Sequence, residues 1–282
     1  MRQLRLRRCR DRLSAPPAPP VPFAPLTFVH RPLFPWPGNK RRLAKHILPL
    51  LTAPHRTYVE PFAGSAAILF MRDPAPIEVI NDINGELVRL YRCVQHHLEE
   101  LVRQFRWALV SREMFRWAQL QHVDTLTDIQ RAARFFYLQK LAFGGKVASQ
   151  TFGVSPGSAP RINLLRIEED LSQAHLRLAR VTIEHLPWQE CLQRYDRPET
   201  LFFLDPPYWQ TMGYGNSFGI DQHEALAAAM RSLQGRAILT INDHPDMRRV
   251  YAGFSCELLS ITYTVGGGSR AKPAGELLIR TW

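Results

Sequence analysis

Short apolar runs that stop at turn-forming residues recur along most of this 282-residue chain, and helical stretches separate them. Runs of this length are typical of buried strands, and strands that alternate with helices predict an α/β domain with a largely parallel sheet. Because ligands of open α/β sheets bind beyond the carboxyl ends of the strands, we expect functional residues where the first four runs end. The runs are 58–60, 77–80, 201–204 and 237–241, followed by two more at 256–264 and 276–280.

A long stretch, about residues 85–185, interrupts this alternation after the second run. It has helical periodicity at 87–103 and 129–141, and its segment 143–160 is rich in Gly, Ser and Pro. Lys146 and Arg161 lie near the ends of that segment. Cationic side chains on an inserted loop suit contact with a phosphate backbone, so we predict that Lys146 and Arg161 bind nucleic acid.

The charge of the chain is unevenly distributed. The formal net charge is +11, and residues 1–31 account for +6 of it because they hold seven arginines and one aspartate. A surplus of Lys and Arg favours a polyanionic partner, since neutralised phosphates release their counterions. Residues 14–25 are dominated by Pro and Ala, which favour extended chain over a packed core. We interpret residues 1–32 as a disordered arm rich in Arg and Pro.

Cysteine and histidine spacing and hydropathy exclude several classes of protein. The ten histidines have no ligand-like spacing, and no CxxC pair occurs among Cys9, Cys93, Cys191 and Cys256. We therefore expect neither a metal site nor a disulfide framework. No apolar run reaches the length that crosses a bilayer, and no secretory signal follows the arginine-rich start. These features predict a soluble intracellular protein with no membrane partner.

The most specific motif is Asp205-Pro206-Pro207-Tyr208, which directly follows the apolar run 201–204. The Asp205 carboxylate and the Pro206 carbonyl can both accept hydrogen bonds, and Pro206 has no competing N–H. Two rigidly held acceptors suit methyl transfer to a planar amino group, because they bind its protons while the nitrogen lone pair attacks. Tyr208 offers a face for stacking a nucleobase swung out of a duplex. The alternative is a simple strand-ending turn, in which Asp, Pro and Tyr are all common.

Two further motifs suit a nucleoside-bearing cofactor. Residues 59–66 join a predicted strand to a helix through a small-residue turn that includes Phe62 and Gly64, where a cofactor can approach the backbone. About twenty positions on, Asp82 follows the next run, and a carboxylate in that place can accept hydrogen bonds from ribose hydroxyls. Small residues also serve plain helix packing, so the turn alone leaves both interpretations open.

Trp36 and Lys40 precede the first predicted helix, residues 41–51. Lys40 could pair with a carboxylate, and Trp36 could cover an apolar or cationic surface. The alternative is a helix-entry loop in which Trp36 is buried in the core and Lys40 is solvated.

In their order along the chain, these motifs resemble the Dam-type, alpha-class adenine-specific DNA methyltransferases over about residues 33–282. Residues 143–146, 239–245 and 276–279 also resemble that family. The resemblance implies a Rossmann-like, S-adenosylmethionine-dependent methyltransferase fold with an inserted, mainly helical target-recognition region. The ordered motifs are Trp36-x-Gly-x-Lys40, Glu60-Pro-Phe-Ala-Gly, Asn81-Asp82-Ile-Asn, the long insertion and Asp205-Pro-Pro-Tyr.

The resemblance also assigns residues to S-adenosylmethionine. It implies that the cofactor contacts Trp36, Lys40, Asp82 and Asp205, beside the small-residue turn with Phe62 and Gly64. It further implies that Asp205, Pro206 and Tyr208 form the catalytic pocket for adenine. Two features depart from the family. Ala66 replaces the last glycine of the cofactor turn, where we still expect binding, and the family does not need the arm.

We predict a catalytic domain of residues 33–90 and 181–282 and an inserted DNA target-recognition domain of residues 91–180. The predicted reaction is direct, in-line methyl transfer from S-adenosylmethionine to N6 of a flipped-out adenine in double-stranded DNA. Methylation of cytosine N4, of RNA or of a protein glutamine stays an alternative, as does a DNA-binding protein with a decayed catalytic fold. We expect a monomer in the cytoplasm of a bacterial or phage-infected cell, in the setting of restriction-modification.

Overall fold

The computed structural model describes residues 31–153, 157, 159–211, 218–263 and 272–282. The predicted disordered arm lies outside the described residues except for Arg31 and Pro32, and so does part of the loop 143–160.

Seven strands form one sheet at the centre of the fold. They are β1 (Thr57–Glu60), β2 (Ile77–Asn81), β3 (Val181–Glu184), β4 (Thr200–Leu204), β5 (Arg236–Asn242), β6 (Ser255–Tyr263) and β7 (Lys272–Arg280). Their order is β3-β2-β1-β4-β5-β7-β6. Neighbouring strands are parallel except that β7 is antiparallel to both β5 and β6. The predicted α/β class with a largely parallel sheet is confirmed.

The sequence interpretation missed β3, which lies at the end of the stretch 85–185 that interrupts the alternation and directly after the predicted insertion, residues 91–180. This edge strand has four residues, and its burial alternates, with Val181 and Ile183 buried and Thr182 exposed. It therefore lacks the continuous apolar run by which the central strands were recognised, because only one of its faces is covered.

Ten α-helices pack around the sheet in the described residues. Two predicted helices are interrupted: 87–103 breaks at His97, which has non-helical backbone angles, and 41–51 is one short α-helix flanked by 3-10 turns at Lys40–Arg42 and Leu48–Thr52. The helices are α1 (Ala44–Ile47), α2 (Ala67–Met71), α3 (Gly85–His96), α4 (Leu98–Arg103), α5 (Arg112–Leu120), α6 (Asp128–Leu141), α7 (Ile167–Leu178), α8 (Trp188–Tyr195), α9 (Ile220–Ser232) and α10 (Pro245–Val250).

The insertion between β2 and β3 contains α3 to α7, and α3 packs against both α6 and α7. Residue 90, the predicted domain boundary, therefore lies inside α3. A buried ion pair fixes the last helix of the insertion to the sheet, since Arg177 of α7 binds Glu78 of β2 at 2.5 Å. The insertion is thus continuous with the packing of the catalytic sheet.

Both faces of the sheet are covered by apolar side chains, in two buried clusters. Every residue of β4 is buried, as expected for a central parallel strand. The chain passes from β1 to β2 and β3 on one side, and it returns to β4 and β5 on the other. The carboxyl ends of β1 and β4 therefore border the crevice where doubly wound sheets bind their ligands.

Candidate active site

A cavity of about 360 Å³ opens at the carboxyl ends of β1, β2 and β4. The structure brings together around it all six residues predicted to contact the cofactor, although they come from four separate segments of the chain. They are Trp36, Lys40, Phe62, Gly64, Asp82 and Asp205.

The turn between β1 and α2 forms the floor of this cavity. Gly64 has φ +49°, and a Cβ added there would lie 2.7 Å from Nε1 of Trp36, so only glycine fits beneath the indole. Ala66 also has a left-handed conformation, with φ 48°. Because a side chain in that region costs roughly 1–2 kcal/mol, the departure from the family's glycine leaves a strained residue directly before α2.

Asp82 is tied to the same turn. Its Oδ2 accepts a hydrogen bond from the Gly64 N–H at 2.9 Å, and its Oδ1 accepts one from the Asn84 N–H at 2.9 Å. Burial raises the pKa of Asp82, and these two backbone bonds oppose the rise. The carboxylate is therefore held rigidly at the wall of the cavity, in the position predicted to meet ribose hydroxyls.

Lys40 and Asp205 form an ion pair across the other end of the cavity. The Lys40 Nζ lies 2.6 Å from Oδ1 of Asp205, and the lysine side chain is only 3% exposed. The Thr240 hydroxyl donates to the same oxygen at 3.0 Å. Burial raises the pKa of Asp205, and the Lys40 ammonium opposes that rise. Both bonds from the described residues go to Oδ1. The other carboxylate oxygen, Oδ2, is therefore the one that can accept a hydrogen bond from a substrate.

Pro206 and Tyr208 lie beside the cavity and do not line it, and both are buried. The Tyr208 hydroxyl donates to Oε2 of Glu276 on β7 at 2.6 Å. The Lys40 Nζ lies 4.6 Å from the centre of the Tyr208 ring, within the range of a cation–π contact. The Tyr208 ring is thus positioned by the hydrogen bond of its hydroxyl to Glu276 and by the Lys40 ammonium. Stacking of Tyr208 on an extruded base stays a prediction.

Glu60, at the end of β1, is a site residue that the sequence interpretation did not single out. It is buried and lines the cavity, and its Oε1 accepts hydrogen bonds from the Tyr58 hydroxyl and the Leu69 N–H, each at 2.8 Å. Burial raises the pKa of Glu60 to about 7, and the nearby Asp205 adds to the rise. The cavity therefore holds a carboxyl group that titrates near neutral pH.

A second wall of the cavity was also missed, and it comes from the segment after β3 and from α9. Asn81 fixes this wall, because its side chain bonds both the N–H and the carbonyl of Leu186, at 2.8 and 3.0 Å. Trp188 donates from Nε1 to Gln222 at 3.1 Å, which joins α8 to α9 over the cavity. The alternation Val-Thr-Ile-Glu in β3 was the sequence signal for this wall. Its lining residues are Leu186, Pro187, Trp188, Gln189, Phe218 and Gln222.

Lys146 and Arg161, the predicted DNA contacts, are both exposed. Lys146 follows the 3-10 turn Phe143–Gly145, which the buried Gln139 connects to the cofactor side. The Gln139 amide donates to the carbonyls of Gly145 at 2.5 Å and of Pro35 at 2.9 Å. The loop that carries Lys146 is therefore attached to the segment that carries Trp36, whereas Arg161 lines a different cavity.

Within the residues that the structure describes, no group of three or more His, Cys, Asp or Glu side chains is arranged to hold a metal ion. No helix in that part of the chain is long and apolar enough to cross a membrane.

The cavity has the chemistry that S-adenosylmethionine requires. Carboxylates of Glu60, Asp82 and Asp205 can face a cationic ligand and its hydroxyls, and aromatic rings supply apolar walls for a nucleoside. The close approach of the backbone at Gly64 also suits a nucleoside cofactor at a doubly wound sheet. Fold and site together define an S-adenosylmethionine-dependent methyltransferase of Rossmann-like fold.

Comparison with known proteins gives the particular family. The family model of the D12 class N6 adenine-specific DNA methyltransferases matches residues 36–265, and the chain belongs to this family. It is an enzyme that methylates adenine in DNA with S-adenosylmethionine as methyl donor.

Several curated proteins are similar over most of their length. The type II methyltransferase M.CviBI of Paramecium bursaria Chlorella virus NC1A is 25% identical over 79% of this chain and 87% of its own. The retron Ec67 DNA adenine methylase of Escherichia coli is 25% identical over 86% and 88%. The DNA adenine methylase of Haemophilus influenzae is 25% identical over 79% and 84%.

Among solved structures, that of SMU.472 complexed with SAH is similar over 87% of this chain, with 10% identity and a TM-score of 0.38. This chain spans about half, 53%, of that one.

Proposed function

We propose that Asp205 and Pro206 hold the N6 amine of an extruded adenine for methyl transfer. The observation that carries this proposal is the ion pair at Asp205, whose Oδ1 is fixed by Lys40 at 2.6 Å and by Thr240 at 3.0 Å. The Oδ2 atom then accepts one N6 proton, and the Pro206 carbonyl accepts the other. An amine held through both protons directs its lone pair out of the ring plane, which is the geometry for attack.

The cavity residues Trp36, Lys40, Phe62, Gly64, Asp82 and Asp205 bind S-adenosylmethionine in this proposal. When bound, the cofactor supplies a methyl group activated by a sulfonium. Asp82 accepts hydrogen bonds from ribose hydroxyls, and the aromatic rings exclude water from the cavity. Glu60 adds a third carboxylate facing the cationic end of the cofactor.

Asp205 acts mainly by orientation and electrostatics. Positive charge develops on N6 as the new bond forms, so the amine protons become acidic and a strong general base is unnecessary. A carboxylate preorganised by Lys40 and Thr240 stabilises that developing charge without having to reorient. Tyr208, anchored through Glu276, completes the pocket and stacks on the base.

The inserted region, residues 91–180, contacts the DNA duplex in this proposal, and residues 33–90 and 181–282 carry out catalysis. Lys146 and Arg161 are exposed, as phosphate contacts require. The enzyme works as a monomer in the cytoplasm of a bacterial or phage-infected cell. Relatives named as type II methyltransferases support a place in restriction-modification.

The test is single-turnover methylation of plasmid DNA by Asp205→Ala, with the exposed Asp73→Ala as matched control. Loss of preorganised electrostatic stabilisation should slow methyl transfer by about 100-fold or more, while the dissociation constant for DNA changes little. Asp73→Ala should match the wild type. Full turnover by Asp205→Ala, or loss of DNA binding in proportion to turnover, would contradict the proposed role.

A further inference from the structure

A second cavity, of about 540 Å³, lies between α2, α6 and α7 and shares no lining residue with the cofactor cavity. We call it the cationic cavity, because four of its lining side chains are basic and one is acidic. The basic residues are Arg31, Lys140, Arg161 and Arg166, and the acidic one is Asp170.

Most of the positive charge in the cationic cavity is uncompensated. Arg166 is exposed and forms two hydrogen bonds of 2.8 Å with Glu169. By contrast, Arg31, Lys140 and Arg161 form no ion pair within 4.0 Å in the described parts of the chain. The Lys140 Nζ lies 5.4 Å from the centre of the Phe136 ring, and burial lowers the pKa of Lys140 although Asp170 opposes the change. An anion in this cavity would meet three exposed arginines and one cation, Lys140, that has already lost part of its hydration.

The cationic cavity lies close to the active site. Leu33 lines it and Trp36 lines the cofactor cavity, and three residues of chain span at most roughly 11 Å. Helix α6 provides a second connection. Its Lys140 lines the cationic cavity, and the neighbouring Gln139 donates hydrogen bonds to the carbonyls of Pro35 and Gly145. The cationic cavity therefore lies near both the cofactor cavity and the loop that carries Lys146.

We propose that the cationic cavity binds a backbone phosphate of the DNA strand that carries the target adenine. This inference rests on the proposed function, because it assumes that DNA approaches from the side of Lys146. Arginine forks and a lysine match the oxygens of a phosphodiester, and the Asn163 side chain adds a polar group.

A phosphate contact positions DNA without reading its sequence. The site therefore contributes affinity and register near the extruded adenine, and it leaves the choice of recognition sequence to other residues. Because the contact is electrostatic, it makes binding dependent on salt.

The test measures DNA affinity as a function of salt concentration, from about 50 to 200 mM, for Lys140→Met and the exposed control Lys45→Met. Methionine keeps the packing on Phe136 and removes the charge. Fluorescence anisotropy with a duplex of arbitrary sequence suffices, since phosphate contacts are sequence-independent. The slope of log K against log salt is negative, and in Lys140→Met its magnitude should decrease by about 0.9 for each lost phosphate contact. In the control the slope should stay unchanged.

Arg161→Gln gives a second, independent readout, because its exposed side chain can be changed without disturbing the core. It should lower the slope in the same way, with unchanged affinity for S-adenosylmethionine. An unchanged slope in both variants would overturn the proposal. The proposal would also be overturned if the variants kept the salt slope of DNA binding but lost binding of inorganic phosphate or pyrophosphate. That result would assign the cavity to a free anion. Failure of the proposed function would give a different result, because the Asp205→Ala variant would then still methylate DNA at the wild-type rate.

Discussion

Replacing Lys40 with methionine should shift the pH dependence of methyl transfer to higher pH. The Lys40 and Asp205 side chains are 3% and 21% exposed, with 2.6 Å between Nζ and Oδ1. Removing one member of a buried pair costs about 3–5 kcal/mol. Since Asp205 is partly exposed and water screens its charge, we expect the ionised carboxylate to lose stabilisation at the lower end of this range, about 3 kcal/mol.

The sign follows from the protonation state that catalysis requires. Asp205 must be ionised to accept an amine proton through Oδ2. Burial already raises the pKa of Asp205 and Lys40 opposes the rise, so the variant needs a higher pH to ionise the same carboxyl group. The lost rate should therefore return as the pH is raised.

The assay is single-turnover methylation at saturating cofactor and DNA, measured over the pH range in which the protein stays folded. The exposed Lys45→Met serves as control and should retain the wild-type profile. A uniform loss of rate in Lys40→Met, with the acidic limb of the profile unmoved, would refute the reasoning. Lys40 would then act only through contact with the cofactor.

Three further predictions concern the cavity and its surroundings. Gly64→Ala should weaken S-adenosylmethionine binding by about tenfold or more in calorimetry, because the new Cβ meets the indole at 2.7 Å, whereas Gly144→Ala has a similar φ, no such contact and no effect. Cofactor affinity should rise as pH passes through about 7, where Glu60 ionises, and Glu60→Gln should lose this dependence. Gln139→Ala should lower the free energy of unfolding by about 1–3 kcal/mol in urea titration, because the buried carbonyl of Gly145 and the partly buried carbonyl of Pro35 lose their donor. The exposed Gln119→Ala should lower it by less than about 0.5 kcal/mol.

The sequence was informative where function follows directly from strand order. Asp82 and Asp205 could be placed in one site because the carboxyl ends of parallel strands meet at one edge of a sheet, and only β1 separates β2 from β4. The same argument extends to Gly64, whose neighbours in sequence were small enough to indicate a tight turn. In the structure these residues lie around one cavity.

Other features were missed because their local signal is short or because they arise only from packing. Strand β3 was not recognised because it is short and half-exposed. The cavity wall at Leu186, which follows β3, was missed for the same reason. The raised pKa of Glu60 arises from burial by the completed fold. The cationic cavity joins Arg31, Lys140 and Arg161, which are too far apart in sequence for any periodicity to relate them.

The most direct test of the central claim is to identify the methylated base. Purified protein is incubated with S-adenosylmethionine and unmethylated plasmid DNA, the DNA is digested to nucleosides, and these are analysed by mass spectrometry with Asp205→Ala alongside. The account predicts N6-methyladenosine in its deoxy form from the wild type and none above background from the variant. N4-methylcytosine, or a methylated adenine formed equally well by both proteins, would contradict it.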